Sequence, residues 1–145
     1  MKTPKKRSAS KQGSINKKKT RDWYREQGYA SEYQEHLQSI FTPKGMLYKK
    51  NDVFASDGVS MNGKEIIFWN AKGETQKGKG TLGSSLKKFS QFPFPDFVIR
   101  EIVVWEPRKK NPYRLRTHNG EIYSLDCDGN RKDYEYRNIN LVEKK

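Results

Sequence analysis

The feature of the sequence that most constrains the fold is a pair of apolar runs in the middle of the chain. Residues 66–69 are apolar at every position, and residues 97–105 are apolar apart from Arg100 and Glu101. A strand with one face in water alternates apolar and polar residues, whereas a continuous apolar run is typical of a strand covered on both faces. The sequence therefore predicts a mixed β-sheet with helices packed against it, which is an α/β architecture.

Two helices are predicted to flank these strands. Thr20 is placed to cap a helix that ends at Gly28, and large apolar residues recur at helical spacing in residues 82–92. Pro93 follows the second helix and cannot continue it. Residues 29–41 fit two alternatives, a helix that begins with a capping box or an edge strand with alternating residues.

Two Asn-Gly pairs predict β-hairpins. Asn62-Gly63 separates the predicted strands 57–61 and 65–72, and Asn119-Gly120 lies within residues 113–125. Asn-Gly tolerates positive φ at both positions, so the first pair predicts a two-residue type I′ turn and the second a further hairpin.

Two more segments complete the predicted sheet. A turn at residues 42–45 leads into a strand at residues 46–54. The polar and aromatic C-terminus is predicted to add one more strand.

The positive charge is concentrated at the N-terminus. Residues 1–19 hold eight basic residues and no acidic one, so they carry +8 of the formal charge of +13 and residues 20–145 carry +5. A segment with almost no bulky apolar residue cannot offset its ordering entropy, which predicts a disordered tail (1–19) before a single domain (20–145). The excess charge points to a polyanionic partner whose binding weakens steeply with salt.

The composition excludes several classes of protein. Cys127 is the single cysteine, which excludes an internal disulfide and a cysteine-based zinc cluster. No apolar run has the length of a transmembrane span, and no apolar core follows the basic N-terminus as in a signal peptide. We therefore expect an intracellular, cytoplasmic protein without a membrane partner, associated with the nucleoid or, in a eukaryotic host, nuclear.

Three polar residues stand at positions that the apolar pattern does not explain. Asp57 opens one arm of the first predicted hairpin, and Asn70 and Lys72 close the other. Residues two apart in a strand share a face, and pairing about Asn62-Gly63 places Asp57 opposite residues 68–70. An acid, an amide oxygen and an ammonium would then converge, which suits phosphodiester hydrolysis with a divalent cation held by oxygen ligands.

These residues resemble the PD-(D/E)XK nuclease superfamily, especially its Holliday-junction-resolvase-like and VRR-NUC-like members. The resemblance covers about residues 20–116. It rests on a helix ending in REQGY at residues 25–29, on KNDVFASD at residues 50–57, and on NAK at residues 70–72, where the family has an acid or glutamine, any residue, and lysine. Small phage-like relatives often add a strand ending in tryptophan and a basic turn, and residues 105–110 are similar to that pattern.

The resemblance implies a fold, a reaction and a partner. The fold is an αβββαβ, restriction-endonuclease-like core within a mixed β-sheet, with a C-terminal β-hairpin. The activity is that of an endodeoxyribonuclease dependent on Mg²⁺ or Mn²⁺, acting on DNA and, in the resolvase-like members, on branched DNA. Symmetric cutting of two strands would require a homodimer.

The resemblance also assigns site residues in this chain. The catalytic set is Asp57, Asn70, Lys72 and Glu35, with Glu32 as an alternative to Glu35. The metal ligands are Asp57 and Asn70, with Asp52 as the second choice of carboxylate. Independently of the resemblance, the excess of positive charge predicts that basic residues meet nucleic acid, and the candidates are Lys49, Lys50, Lys77, Lys79, Arg108, Lys109, Lys110, Arg114 and Arg116.

One position departs from the family pattern. Asn70 stands where most members carry Glu, Asp or Gln. Because asparagine is shorter and uncharged, metal affinity should fall and the site can be inactive. The alternative is therefore a catalytically silent basic protein that binds DNA or RNA on the same fold. A third alternative is a basic protein of a ribosome or capsid, which would bind no free nucleic acid at moderate salt.

Overall fold

The computed structural model describes residues 9–52, 56–73, 81–138 and 140–144, with the backbone alone for residues 9–12, 35–42, 46–52 and 81. These residues form two helices and ten strands. The helices are α1 (Ala9–Glu26) and α2 (Thr81–Ser90), and neither is both long and apolar enough to cross a membrane. The strands are β1 (Ala30–Tyr33), β2 (Glu35–Thr42), β3 (Gly45–Asp52), β4 (Gly58–Met61), β5 (Ile66–Gly73), β6 (Ile99–Trp105), β7 (Tyr113–His118), β8 (Glu121–Leu125), β9 (Arg131–Arg137) and β10 (Asn140–Glu143).

Eight of these strands form one mixed sheet in the order β1-β4-β5-β6-β7-β8-β9-β10, and β2 pairs with β3 in a separate hairpin. Within the described residues, neighbouring strands run antiparallel except β5 and β6, which run parallel. A parallel pair needs a crossover connection, and α2 lies in the one between β5 and β6. The predicted α/β class with a mixed sheet is confirmed.

The central strands are buried on both faces, as their apolar runs predict. One core cluster joins α1 to the sheet and includes Tyr24, Ile67, Trp69, Ile99 and Val103. The other joins α2 to the sheet and includes Leu82, Leu86, Ile102, Val104 and Leu115. Because alternate residues of a strand point to opposite faces, each helix covers one side of the sheet.

The end of α1 lies where the sequence predicts it. Gly28 has a φ of +93°, a conformation that glycine adopts without strain. The Gly28 N–H donates to the carbonyl of Arg25 at 3.1 Å, and the Tyr29 N–H donates to that of Tyr24 at 3.0 Å. This Schellman motif satisfies carbonyls that the helix itself leaves without donors.

The start of α1 differs from the prediction. The charge pattern predicts disorder up to residue 19 and a cap at Thr20, but the helix already begins at Ala9. The prediction of a disordered tail is therefore wrong for residues 9–19, and residues 1–8 lie outside the described part of the chain. Thr20 is buried inside the helix, where its hydroxyl donates to the Asn16 carbonyl and accepts from Nε1 of Trp105, both at 2.8 Å. Such tertiary contacts stabilise a helix that local composition disfavours.

The two Asn-Gly pairs form different turns. Asn119 and Gly120 have φ of +52° and +81° and connect β7 to β8 as the predicted hairpin. At Asn62-Gly63 the predicted two-residue turn is wrong, because the last strand pair is Met61 with Ile66 and a four-residue loop remains. Oδ1 of Asn62 accepts the backbone N–H groups of Lys64 and Glu65 at 2.8 and 2.9 Å, which stabilises this loop without positive φ.

Residues 29–41 adopt the strand alternative. They contribute β1 at the edge of the sheet and most of β2, whose partner β3 follows the predicted turn after Thr42. At the other end of the chain, β9 and β10 extend the sheet by two strands where the sequence predicts one.

Candidate functional site

Asp57 lies directly before β4, opposite Asn70 of β5. Its backbone N–H lies 3.0 Å from the Trp69 carbonyl and 2.8 Å from Oδ1 of Asn70 and donates to both. In return, the backbone N–H of Ala71 donates to Oδ2 of Asp57 at 2.9 Å. The hairpin register therefore brings Asp57 and Asn70 into direct contact, as the sequence predicts.

The register depends on a close approach between Gly58 and Trp69. These residues are partners across β4 and β5, and the buried indole ring of Trp69 lies over Gly58. A Cβ atom at Gly58 would lie 2.1 Å from the ring, so only glycine fits at this position. This packing of Gly58 fixes the position of the preceding residue, Asp57, at the open end of the hairpin.

Asp57, Asn70 and Lys72 line one cavity of about 390 Å³ between the sheet and α2. Asn70 and Lys72 share the face of β5 that α2 covers, because they are two residues apart. The remaining lining residues are Ser85, Lys88 and Phe89 of α2 and Ile102 of β6. The three side chains predicted to converge are therefore brought together, beside two apolar side chains.

The charges around this cavity are mostly positive. Lys72 and Lys88 line it, and Nζ of Lys17, from α1, lies 3.7 Å from Oδ1 of Asp57. The described residues that line or adjoin the cavity therefore supply three lysine side chains and one carboxylate, that of Asp57. An excess of positive charge in a cavity favours an anionic group such as a phosphodiester.

The donor atoms of the cavity fit a hard divalent cation when a phosphate completes its coordination. Within the described residues, no group of three His, Cys, Asp or Glu side chains could hold a metal ion by itself. Mg²⁺, however, is commonly held by one or two carboxylates together with water and substrate phosphate. Asp57 supplies one carboxylate and Asn70 an amide oxygen.

The other predicted acids have different positions. Glu35 and Asp52 are backbone partners at the base of the β2–β3 hairpin, and their side chains lie outside the described part of the structure. The adjacent Gln34 donates its N–H to the Asp57 carbonyl at 2.9 Å, so the hairpin base adjoins the cavity. Glu32 instead has an exposed side chain that pairs with Arg25, and it does not line the cavity.

A second polar cluster, which the sequence did not predict, surrounds Glu101 in the core on the α1 side. Glu101 is fully buried and accepts hydrogen bonds from the Tyr24 hydroxyl and from Nε of Arg116, the latter at 2.7 Å. Nη1 of Arg114 lies 3.8 Å from the same carboxylate. Burial, and then the Glu101 charge, raise the pKa of Tyr24 well above its ordinary value.

This cluster contains Arg114 and Arg116, two of the predicted nucleic-acid contacts. Arg116 is buried, and although burial disfavours its charged form, Glu101 and neighbouring tyrosines raise its pKa above the ordinary value. The guanidinium of Arg114 lies 4.9 Å from the Trp23 ring centroid and is largely enclosed. Both arginines therefore stabilise the core, and the prediction that Arg116 contacts nucleic acid is wrong for this conformation.

An exposed basic surface lies beside the C-terminal half of α1. Nζ of Lys19 is 5.3 Å from the Trp105 ring centroid, and Nε1 of Trp23 donates to Oδ1 of Asn111 at 3.1 Å, so the helix contacts both ends of the turn after β6. The α1–turn surface consists of the exposed residues Lys18, Lys19, Arg108, Lys109 and Lys110. Three of these residues, Arg108, Lys109 and Lys110, were predicted from the sequence to contact nucleic acid. Lys77 and Lys79 lie outside the described residues, as do the side chains of Lys49 and Lys50.

Comparison with protein-family models gives no match to this chain, and comparison with curated proteins gives none. The functional assignment therefore depends on the cavity and on the sequence motifs that resemble the nuclease superfamily.

Proposed function

We propose that this protein is a metal-dependent endonuclease that hydrolyses phosphodiester bonds of DNA at the cavity formed by Asp57, Asn70 and Lys72. The observation that carries the proposal is that these three side chains, separated by up to fifteen residues in sequence, line the same cavity. An acid and a neutral oxygen donor can hold a divalent cation together with a phosphate, and an ammonium can bind the negative phosphodiester group.

The order of the elements supports the finer fold assignment. α1, β1, β4, β5, α2 and β6 follow one another as αβββαβ once the β2–β3 hairpin is regarded as an insertion after the first strand. In this interpretation β7 to β10 are a C-terminal extension of a restriction-endonuclease-like core. The cavity then lies between β5 and the crossover helix α2, and it is lined by Asp57, Asn70 and Lys72, the residues to which the resemblance assigns the reaction.

The residues of the cavity have different roles in the proposed reaction. Asp57 and Asn70 would hold the divalent cation, which supplies a Lewis acid and lowers the pKa of bound water when present. Lys72 and Lys88 bind the negative phosphodiester group, and Lys72 also orients the attacking water. The apolar side chains of Phe89 and Ile102 exclude bulk water from one side of the site, which strengthens the interaction of these charges.

A nucleic acid is the substrate that the charge distribution favours. The α1–turn surface presents five exposed cations, and the chain carries a formal charge of +13. Contacts of this kind bind the phosphate backbone without regard to sequence. The motif resemblance favours branched DNA as the substrate, and two symmetric cuts would require a homodimer.

The test is cleavage of supercoiled and of branched DNA by the purified protein with Mg²⁺ or Mn²⁺. Asp57→Asn keeps the shape of the side chain and removes its charge, and Lys72→Ala removes the ammonium. Each should lower the rate by about 100-fold or more. The control is Lys132→Ala, an exposed lysine of β9 outside the cavity, which should cut at the wild-type rate. Unchanged cleavage by either cavity variant would refute the assignment.

A second candidate function is a catalytically silent protein that binds DNA or RNA on the same fold. Two observations favour it: the Lys17 ammonium lies beside Asp57, and Oδ1 of Asn70 accepts the Asp57 N–H. Such a protein would bind nucleic acid with a steep salt dependence and cut none of the substrates with either metal.

A further inference from the structure

Lys17 approaches the proposed metal ligand from the opposite side of the sheet. α1 packs on the face of β5 that carries Trp69, yet Nζ of Lys17 reaches to 3.7 Å from Oδ1 of Asp57. The two side chains are 26% and 10% exposed, so water screens their attraction only in part. A monovalent cation supplied by the protein therefore lies beside the carboxylate that would anchor a divalent one.

The position of Lys17 is fixed by its neighbours in α1. Asn16 is 4% exposed, and its side-chain amide nitrogen would lie 3.7 Å from a Cβ atom placed on Gly73 at the end of β5. Thr20, one turn later, is buried and bonded to Trp105. Because the residues before and after it are anchored in the core, Lys17 is presented to Asp57 by a docked helix.

We propose that Lys17 competes with the divalent cation for Asp57, so that the free protein binds metal weakly and binds it more tightly when a phosphodiester draws the ammonium away. This inference rests on the proposed function, since it concerns the same carboxylate. Two cations beside one carboxylate repel each other, so the metal ion binds Asp57 only when the Lys17 ammonium moves out. A phosphodiester in the cavity gives that ammonium a second anion, and metal and DNA then favour each other's binding reciprocally.

The experiment is a titration of the DNA-free protein with Mn²⁺, followed by the paramagnetic signal of the unbound ion. Lys17→Met keeps the aliphatic stem and removes the charge, and it should bind Mn²⁺ about tenfold more tightly than wild type, equivalent to ~1.4 kcal/mol. Lys18→Met is the matched control, because it removes the same charge from the next residue, which is exposed. It should change the affinity by less than about twofold, as a screened surface charge does.

Two further variants test whether the change in Mn²⁺ affinity comes from the lost charge of Lys17 and whether the ion binds at Asp57. Lys17→Gln tests the same loss of charge with a polar side chain, in case methionine disturbs the packing of α1. The double variant Asp57→Asn with Lys17→Met should lose the gained affinity, which assigns the ion to Asp57. Thermal melting of each variant confirms that it is folded.

Equal or weaker Mn²⁺ binding by both Lys17 variants would overturn the competition, and so would an equal gain in Lys18→Met. The proposed nuclease activity is tested separately, by DNA cleavage with the wild-type protein. A cleaving wild type with unchanged Mn²⁺ affinity in the Lys17 variants rejects this inference alone. Tighter Mn²⁺ binding in both Lys17 variants, with no cleavage by the wild type, supports the competition and rejects the nuclease.

Discussion

The backbone N–H of Asp57 donates a hydrogen bond of 2.8 Å to Oδ1 of Asn70. The bond closes the open end of the β4–β5 hairpin, next to the hydrogen bond from Ala71 to the Asp57 carboxylate. An amide oxygen accepts this N–H as well as a carboxylate oxygen would, but it carries no negative charge. Asn70 therefore keeps the shape of the site while lowering its attraction for a cation.

The first prediction concerns a negative charge added at residue 70. Asn70→Asp is isosteric, so it should keep the bond from the Asp57 N–H and add a second carboxylate to the cavity. We expect Mn²⁺ affinity to rise about tenfold, as for one added charge contact of ~1.4 kcal/mol, and DNA cleavage to accelerate in parallel. Asn70→Glu tests the longer side chain of the resembling nucleases. If both variants bind Mn²⁺ no better than wild type, Asn70 does not face the metal position.

The second prediction concerns the packing that fixes Asp57. Gly58→Ala would place a Cβ atom 2.1 Å from the Trp69 ring, so the hairpin must shift. We expect a loss of about 2 kcal/mol or more in the free energy of unfolding, together with loss of cleavage. Gly63→Ala is the matched control, because nothing lies within 4 Å of its Cβ position and its φ is not positive. Equal unfolding midpoints for the two variants would contradict the close approach.

The third prediction concerns the buried carboxylate of Glu101. Glu101→Gln removes the charge that pairs with Arg116 and leaves a buried guanidinium without its counter-ion. Breaking a buried pair in this way costs about 3–5 kcal/mol. Glu121→Gln breaks the exposed pair with Arg131 and should cost less than about 1 kcal/mol. Urea denaturation of both variants measures the difference, and comparable losses would show that the Glu101 cluster is not a buried ion pair.

The convergence of Asp57 and Asn70 could be predicted from the sequence because β-pairing propagates with a period of two. Any hairpin closed near Asn62-Gly63 places Asp57 close to the end of the partner strand, and the observed four-residue loop shifts the register without separating these residues. Lys17 could not be assigned to the site, because its approach depends on how α1 packs on the sheet. No local pattern encodes such a contact between distant segments.

The extent of α1, in contrast, could not be predicted from the sequence. Residues 9–19 are basic and polar, and composition alone predicts disorder for them. The helix forms because Asn16 and Thr20 are buried against the sheet, with Thr20 bonded to Trp105, 85 residues away. The assignment of Arg116 to nucleic acid is wrong for a related reason, since its partner Glu101 lies on the neighbouring strand. In both cases the deciding contact is distant in sequence.

The fourth prediction is a loss of stability at alkaline pH. Burial and the hydrogen bond to Glu65 raise the pKa of Tyr29 to about 12, from 10.0. Between these values the unfolded chain loses this proton and the folded protein keeps it, so stability is complete below pH 10 and falls as the pH rises toward 12. Tyr29→Phe should flatten this fall between pH 9 and 11 by less than about 1 kcal/mol, since the phenol is partly solvated. Parallel urea midpoints in both proteins would contradict the raised pKa.

The last prediction concerns the α1–turn surface. Arg108, Lys109 and Lys110 are exposed and lie in the turn that follows Trp105, whose ring centroid is 5.3 Å from Nζ of Lys19 in α1. Replacing all three with glutamine should weaken DNA binding and lower the slope of log K against log salt by up to about 3, or about one per lost phosphate contact.

The control replaces Lys132, Lys144 and Arg137, which are exposed on and beside β9 and β10, and it removes the same charge. Fluorescence anisotropy with a labelled duplex over a range of salt concentrations measures both slopes. Because net charge changes equally in the two triple variants, a larger drop for the turn variant assigns the phosphate backbone to this surface, whereas equal drops would show that only the overall charge attracts DNA.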